Sequence, residues 1–125
     1  MSRYKKVVLN TVEFEIDGNN VVLRPSKEKM FKALQVFKES MRPENKEGLQ
    51  EIREYLNDLL WTSLTDEEKK EEMSANPECR EDIDTFIIQN LHTLWMRVLE
   101  EFGYVKPEDK KRIEEKMQKM TEGKN

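Results

Sequence analysis

The chain contains one histidine, His92, and histidine is the side chain that most often serves as general base or metal ligand at neutral pH. A Ser-His-Asp or Cys-His arrangement would have to use this one imidazole, and a metal site of two or three histidines is excluded within one chain. By helical periodicity His92 borders an apolar face, near Ile88 and Met96. This position favours a half-buried packing histidine, with a pH-sensitive contact as the alternative.

The chain also contains one cysteine, Cys79, in the first turn of a long predicted helix. The positive end of a helix dipole can activate a thiol there. No neighbouring histidine, CxxC pair or resolving cysteine accompanies it, so we interpret Cys79 as a small, inert packing residue. A lone cysteine forms neither an internal disulfide nor a cysteine-based metal cluster, which fits a reducing cytoplasm.

Acidic side chains are the third group that could do chemistry. Glu67, Glu68, Glu71 and Glu72 present carboxylates at helical spacings of three and four residues, and Asp82 and Asp84 add two more. Metal binding or acid–base catalysis would require several of them to converge in a pocket. A polar helix instead presents its carboxylates to solvent, and we interpret this group as a solvated face.

Known catalytic and ligand-binding motifs are missing from the sequence. The run Asp17-Gly18-Asn19-Asn20 resembles the start of a calcium loop, but the later glycine and glutamate do not follow at the required distances. The sequence contains no glycine-rich phosphate loop, GxSxG motif or zinc pattern. We therefore predict a protein that is not an enzyme and has no catalytic residues, metal site or cofactor.

Charge argues against nucleic acid as the main partner, because the net charge is −4 and the isoelectric point is near 5.2. The acids are concentrated in residues 44–85, which carry 14 acidic and 5 basic residues, a net charge of −9. Residues 26–43 and 106–125 are weakly basic, at +3 and +2. The acidic block is typical of solvated helices, with a docking surface for a basic partner as the alternative.

Alternating residues predict a β-hairpin over residues 11–24. Val12, Phe14 and Ile16 point to one side, and a second apolar run follows the Asp-Gly turn at residues 21–23. A two-stranded hairpin alone is marginally stable, so a third strand over residues 4–9 or a covering helix is required. The fold class is therefore α+β and predominantly helical, with the hairpin packed on a bundle of four to five helices.

Apolar periodicity and capping residues place the helices. Ser26, the Thr65 to Glu68 capping box and Asn76-Pro77 mark starts, and Gly103 marks a stop. The first helix presents a stripe of Met30, Leu34, Phe37 and Met41, widened by Phe31 and Ala33. The fourth carries the broadest apolar face and is expected to be the central helix of the bundle. The predicted helices are 27–41, 48–62, 66–74 and 77–102.

Residues 1–105 are predicted to form one domain, followed by a weakly amphipathic helix and a frayed tail over 106–125. That last helix offers few apolar residues, so it either lies loosely on the domain or becomes ordered on a partner. Aromatic and methionine side chains are enriched where proteins meet. The candidate partner-binding residues, each with core packing as its alternative, are Trp61, Tyr104, Ile113, Met117 and Met120.

Hydropathy predicts no membrane association. The apolar run near the start, residues 7–9, is far shorter than the core of a signal peptide, and no window approaches 18 apolar residues. We therefore expect a cytoplasmic protein that is not secreted and that binds neither membrane nor nucleic acid.

The opening strand, Asp-Gly turn and second strand, residues 12–18 and 21–25, precede a compact acidic helical body. This layout resembles the tail assembly chaperones of long-tailed bacteriophages. The resemblance implies a non-catalytic viral protein in the cytoplasm of the infected bacterium. It would bind the tape-measure protein, help to recruit tail-tube subunits, and self-associate as a homo-oligomer. The alternative is a small acidic regulator or inhibitor that masks a basic surface of a partner protein with residues 44–85.

Overall fold

The computed structural model describes the backbone of residues 11–122 and the side chains of residues 11–119. It confirms an α+β, mostly helical fold, with an antiparallel hairpin followed by six α-helices and a 3-10 turn at Pro107–Asp109. The predicted strand over residues 4–9 lies outside the described residues. The elements are β1 Val12–Ile16, β2 Asn19–Leu23, α1 Lys27–Ser40, α2 Gly48–Ser63, α3 Asp66–Ala75, α4 Cys79–Gln89, α5 Leu91–Glu101 and α6 Lys110–Glu122.

The hairpin is closed by a two-residue turn. Asp17 and Gly18 both have positive φ, 50° and 78°, the conformation required at the two central residues of a type I′ turn. Ile16 pairs directly with Asn19, so β2 begins two residues before the predicted apolar run. The alternation is confirmed, because the apolar side chains of β1 are buried and its glutamates are exposed.

Helix α1 buries a face that overlaps the predicted stripe only in part, since Met30, Phe37 and Met41 pack against the core as half-buried side chains. Ser26 caps its start by accepting a hydrogen bond from the Lys29 N–H at 3.1 Å, as predicted. The buried residues are Ala33, Val36 and Ser40, whereas Phe31 is 61% exposed. At 100° per residue Phe31 lies about 160° from Ala33, on the opposite side of the helix. The prediction that Phe31 widens the core stripe is therefore wrong.

Two helices share the centre of the fold. Helix α2 contacts α1, α4, α5 and β2, while α5 contacts α2, α4, α6 and β1. They supply eight of the twelve apolar residues that are 0% exposed among the described residues: Ile52, Leu56 and Leu59 from α2, and Leu94, Trp95, Met96, Val98 and Leu99 from α5. A single central helix over residues 77–102 is therefore not found.

The predicted long helix is broken at Asn90. The Asn90 side chain donates from Nδ2 to the Phe86 carbonyl at 3.0 Å, and its backbone adopts a non-helical conformation, φ −126° and ψ 25°. A local side-chain bond of this kind competes with the helical ladder. The break turns α4 away from α5, and Ile88, expected on the shared apolar face, is 52% exposed.

Helix α6 is docked on the domain. Gly103, with φ 83°, ends α5 in a Schellman motif, because the Gly103 N–H bonds the Glu100 carbonyl and the Tyr104 N–H bonds the Leu99 carbonyl. The chain then reverses, and α6 packs on α5. Ile113 and Met117 are 8% and 0% exposed and join the same core as residues 12–105.

Helix α3 lies entirely at the surface. Thr65 and Glu68 form the predicted capping box, with both reciprocal bonds present. No residue of α3, all of which the structure describes, is buried, and Met73, its expected apolar contact, is 55% exposed. Among residues 11–122, every helix falls short of the length and hydropathy needed to cross a membrane.

Candidate partner-binding surfaces

The first candidate surface is the outer face of α1, which we define as Lys27, Phe31, Leu34 and Lys38. Phe31 is exposed, Leu34 is half-buried one turn further along the helix, and both lysines are exposed. The spacing of three residues places the two apolar side chains side by side. An apolar pair flanked by positive charge is a surface that an apolar helix of another chain could cover.

Two tyrosines hold the start of α1 in place. The Tyr55 hydroxyl of α2 donates to the Lys29 carbonyl, and the Tyr104 hydroxyl donates to the Met30 carbonyl at 2.8 Å. Both carbonyls immediately precede Phe31 in the sequence. The α1 outer face is therefore presented by a helix whose first turn is fixed from two sides. For Tyr104, a predicted partner-binding residue, the structure shows a half-buried side chain that also packs edge-on against Phe102.

The second candidate surface is the acidic surface, defined as Asp66, Glu67, Glu71, Glu72, Glu78, Glu81 and Asp82. All seven side chains are exposed on α3 and at the start of α4. Residues 66–84 contain nine acidic and three basic residues, a net charge of −6. Two of these three bases, Lys69 and Arg80, lie over the ring of Trp61, as described next.

Trp61 joins three helices. Its ring, at the end of α2, lies beneath Lys69 Nζ of α3 at 5.8 Å and the Arg80 guanidinium carbon of α4 at 5.1 Å. These are cation–π distances. Arg80 also donates from Nη2 to Asn57 Oδ1 at 3.1 Å. The structure thus places Trp61, a predicted partner-binding residue, half-buried at the junction that attaches α3 and α4 to α2.

Local contacts shift the pKa of three carboxyl groups. The Thr65 backbone and side chain lower the pKa of Glu68, which fits its capping role. The Glu78 carboxylate raises the pKa of Glu81, first by accepting a hydrogen bond from the protonated Glu81 carboxyl and then through its negative charge. The Arg53 guanidinium lowers the pKa of Asp84, to which it donates two hydrogen bonds of 3.0 and 2.7 Å. Asp84 is therefore part of an ion pair between α2 and α4.

The groups considered for catalysis or metal binding lie apart. His92 is half-buried near the start of α5, as predicted, and Cys79 is buried at the start of α4. Within the described part of the chain, no three His, Cys, Asp or Glu side chains are arranged to hold a metal ion. Ile113 and Met117 are buried in the core, so a partner could reach them only after α6 had moved. The side chain of Met120 lies outside the described residues.

A basic cleft, which the sequence analysis missed, lies between the α1–α2 loop and α6. We define it by four cations, Arg42, Lys46, Lys116 and Lys119, and it has a volume of about 730 Å³. Met41, Pro43 and Leu49 give it an apolar floor. Lys46 is at least 70 residues from Lys116 and Lys119 in sequence, so only the docking of α6 brings these lysines together.

A second cleft, of about 520 Å³, lies between α1 and α2, and charged residues of both helices line it. Lys29 forms an ion pair with Asp58 across it, and the other charged residues that line it are Lys32 and three acids, Glu28, Glu51 and Glu54. Tyr55 forms part of its lining and burial raises the pKa of the Tyr55 hydroxyl strongly.

The buried hydroxyl of Tyr55 should make stability fall at alkaline pH. Because the folded pKa is raised, the unfolded chain loses this proton first, so the contribution is present below about pH 10 and declines as pH rises above it. Tyr55→Phe should be less stable than wild type by about 1 kcal/mol at pH 8, since it loses the bond to Lys29. In urea unfolding, the difference in free energy of unfolding between wild type and Tyr55→Phe should become smaller by about pH 11. A difference that stays the same from pH 8 to about pH 11 would contradict the raised pKa of Tyr55.

No protein-family model, curated protein or solved structure matches the chain. Its function is therefore inferred from the three surfaces themselves: the α1 outer face, the acidic surface and the basic cleft.

Proposed function

We propose that this is a non-catalytic protein-binding protein, and specifically a tail assembly chaperone of a long-tailed bacteriophage. In this role it binds the tape-measure protein in the host cytoplasm and helps to recruit tail-tube subunits. The observation that carries the proposal is the exposed Phe31 beside the half-buried Leu34 on the α1 outer face. The hairpin-first layout of the sequence supports the specific family.

Leaving Phe31 in water has an energetic cost. Hydrophobic residues make up only 36% of the chain, and burying one phenylalanine contributes about 1.5–3 kcal/mol. The side chain therefore gains most from a partner that covers it. Aromatic side chains at the centre of an interface often dominate its binding energy, and a pair spaced by three residues suits contact with a helix. A tape-measure protein is a long, apolar, helical chain with many such sites.

The rigid start of α1 favours binding without rearrangement. The bonds from Tyr55 and Tyr104 to the Lys29 and Met30 carbonyls hold the backbone beside Phe31. An apolar group presented by an ordered helix loses less conformational entropy on binding than one in a mobile segment. Lys27 and Lys38 keep this surface solvated until the partner arrives.

Substituting Phe31 should weaken partner binding without affecting the fold. The Phe31→Ala variant should bind the tape-measure protein encoded beside it about tenfold or more weakly by calorimetry, which corresponds to about 1.4 kcal/mol or more. Its free energy of unfolding should change by less than about 0.5 kcal/mol, because the side chain is exposed. The matched control is Ile88→Ala, which removes an equally exposed apolar side chain from α4 and should leave the affinity unchanged.

Equal affinity of the Phe31→Ala variant and wild type would refute the role of the α1 outer face. Failure of the wild-type chain to bind the neighbouring tape-measure protein at all, together with tight binding of an unrelated protein, would refute the phage assignment.

The acidic surface favours a second candidate function, a regulator that masks a basic surface of its partner. Helix α3 adds no buried side chain to the core, yet its capping box fixes its start and its carboxylates point outward. Binding through these charges would weaken steeply between about 50 mM and about 500 mM salt, whereas apolar binding would persist. It would also be abolished by Glu71→Lys with Glu72→Lys and unaffected by Phe31→Ala.

A further inference from the structure

The basic cleft carries positive charge that the described residues leave mostly unpaired. Glu39 lies 3.6 Å from Arg42 in an exposed pair. Lys46, Lys116 and Lys119 form no ion pair with any described residue. All three lysines are exposed around the cleft, and folding brings them together although like charges repel. A bound anion would offset that repulsion.

The floor of the cleft is apolar, and a simple inorganic anion would leave it uncovered. Met41 and Leu49 are half-buried there, and Pro43 is exposed. The cleft volume of about 730 Å³ falls within the usual range for ligand sites in proteins. A ligand that fits the whole cleft therefore combines an apolar group, for the floor, with negative charges, for the lysines around it.

The walls of the cleft are held in place. Asn45 donates from Nδ2 to the Glu39 carbonyl at 2.9 Å and to Glu51 Oε1 at 2.6 Å, which ties the end of α1 to the start of α2. The opposite wall is α6, whose position is fixed by the buried Ile113 and Met117. The cleft is therefore formed before any ligand binds, and a preformed site loses less conformational entropy on binding.

Nucleic acid fits this site poorly. None of the described residues that line the cleft is aromatic, so it offers no ring on which a base could stack. Glu39, Glu44 and Glu47 are exposed at the end of α1 and in the loop that follows it. A long polyanion leaving the cleft over this loop would approach their carboxylates, and the net charge of −4 opposes it further. The site favours a short anionic segment.

We propose that the basic cleft binds an acidic peptide segment of a partner protein, with an apolar side chain of the peptide on the floor and its carboxylates beside the lysines. Lys46 on the loop and Lys116 on α6 contact the carboxylates from the two walls. Complementary charge fixes the position of such a segment and speeds its encounter with the site. The cleft includes neither Phe31 nor Leu34, so this second binding site goes beyond the function proposed above and does not depend on it.

A synthetic peptide tests the chemistry of the ligand. The probe is a capped peptide in which a central leucine has two glutamates on each side, titrated into the full chain by calorimetry at about 50 mM salt. We expect saturable binding with a Kd below about 1 mM, weakened at least about fivefold near about 500 mM salt. Replacing the glutamates by glutamines should weaken binding at least about tenfold, because the charges are lost. Replacing the leucine by glycine should weaken it at least about fivefold, because the floor is left uncovered.

Charge reversal tests the cleft itself. Lys116→Glu with Lys119→Glu should weaken binding of the peptide at least about tenfold, with unchanged circular dichroism and urea unfolding, because both side chains are exposed and unpaired. The matched control, Lys106→Glu with Lys111→Glu, makes the same change in net charge at exposed positions outside the cleft. Lys111 lies about 140° around α6 from Lys116, so this control should bind the peptide like wild type.

Three results would overturn the proposal. The first is a wild-type chain that does not bind the peptide with a Kd below about 1 mM at low salt. The second is equal affinity of the cleft variant and its matched control. The third is tighter binding of inorganic phosphate or a single-stranded oligonucleotide than of the peptide. The Phe31→Ala variant should bind the peptide like wild type, so failure of the cleft and failure of the α1 outer face are distinguishable.

Discussion

Met117→Ala should lower the free energy of unfolding by about 2–5 kcal/mol, the usual cost of truncating a fully buried methionine. The side chain is 0% exposed and belongs to the main core. Removing it leaves a cavity under α6, and this helix has few other apolar contacts that could close the gap. Urea unfolding followed by circular dichroism at 222 nm measures the loss.

The control for this variant is another methionine on a surface helix. Met73→Ala changes the same side chain at a position that is 55% exposed, and it should alter stability by less than about 0.5 kcal/mol. If Met117→Ala instead left stability unchanged and weakened binding to a partner, the partner-binding role predicted from sequence would be supported, and the docking of α6 would be contradicted.

Trp95→Ala should lower the free energy of unfolding by about 3–5 kcal/mol, an effect similar to that of Met117→Ala. Trp95 is the largest fully buried side chain, and its ring packs edge-on against Tyr55 at a centroid distance of 5.9 Å. Trp95→Phe should lower the free energy of unfolding by less than Trp95→Ala does, for two reasons. The smaller ring fills part of the space, and it removes the indole Nε1–H, which has no hydrogen-bond partner among the described residues.

The other tryptophan gives the comparison. Trp61→Phe keeps a ring beneath Lys69 and Arg80, so it should cost no more than about 1 kcal/mol. Urea unfolding curves of Trp95→Ala, Trp95→Phe and Trp61→Phe, recorded by circular dichroism, test this order of stability. A Trp61→Phe variant less stable than Trp95→Ala would contradict the placement of Trp95 at the centre of the core and of Trp61 at its edge.

Sequence alone determined the features whose causes are local. The alternation of β1, the Asp17-Gly18 turn, the Ser26 cap and the Thr65 capping box each depend on residues a few positions apart, and the structure contains all of them. The end of α5 at Gly103 belongs with them, because a positive φ there is a property of one residue and its neighbours.

Only the tertiary structure decided which face of each helix meets the core. Helical periodicity gave a broad apolar arc but could not show that Asn90 divides it, that Phe31 lies outside the core, or that Met117 lies inside it. The basic cleft depends on the same non-local packing, since Lys46 and Lys116 meet only when α6 folds back on the domain. A helix with several weakly apolar stripes buries the one that its neighbours cover, and those neighbours are distant in sequence.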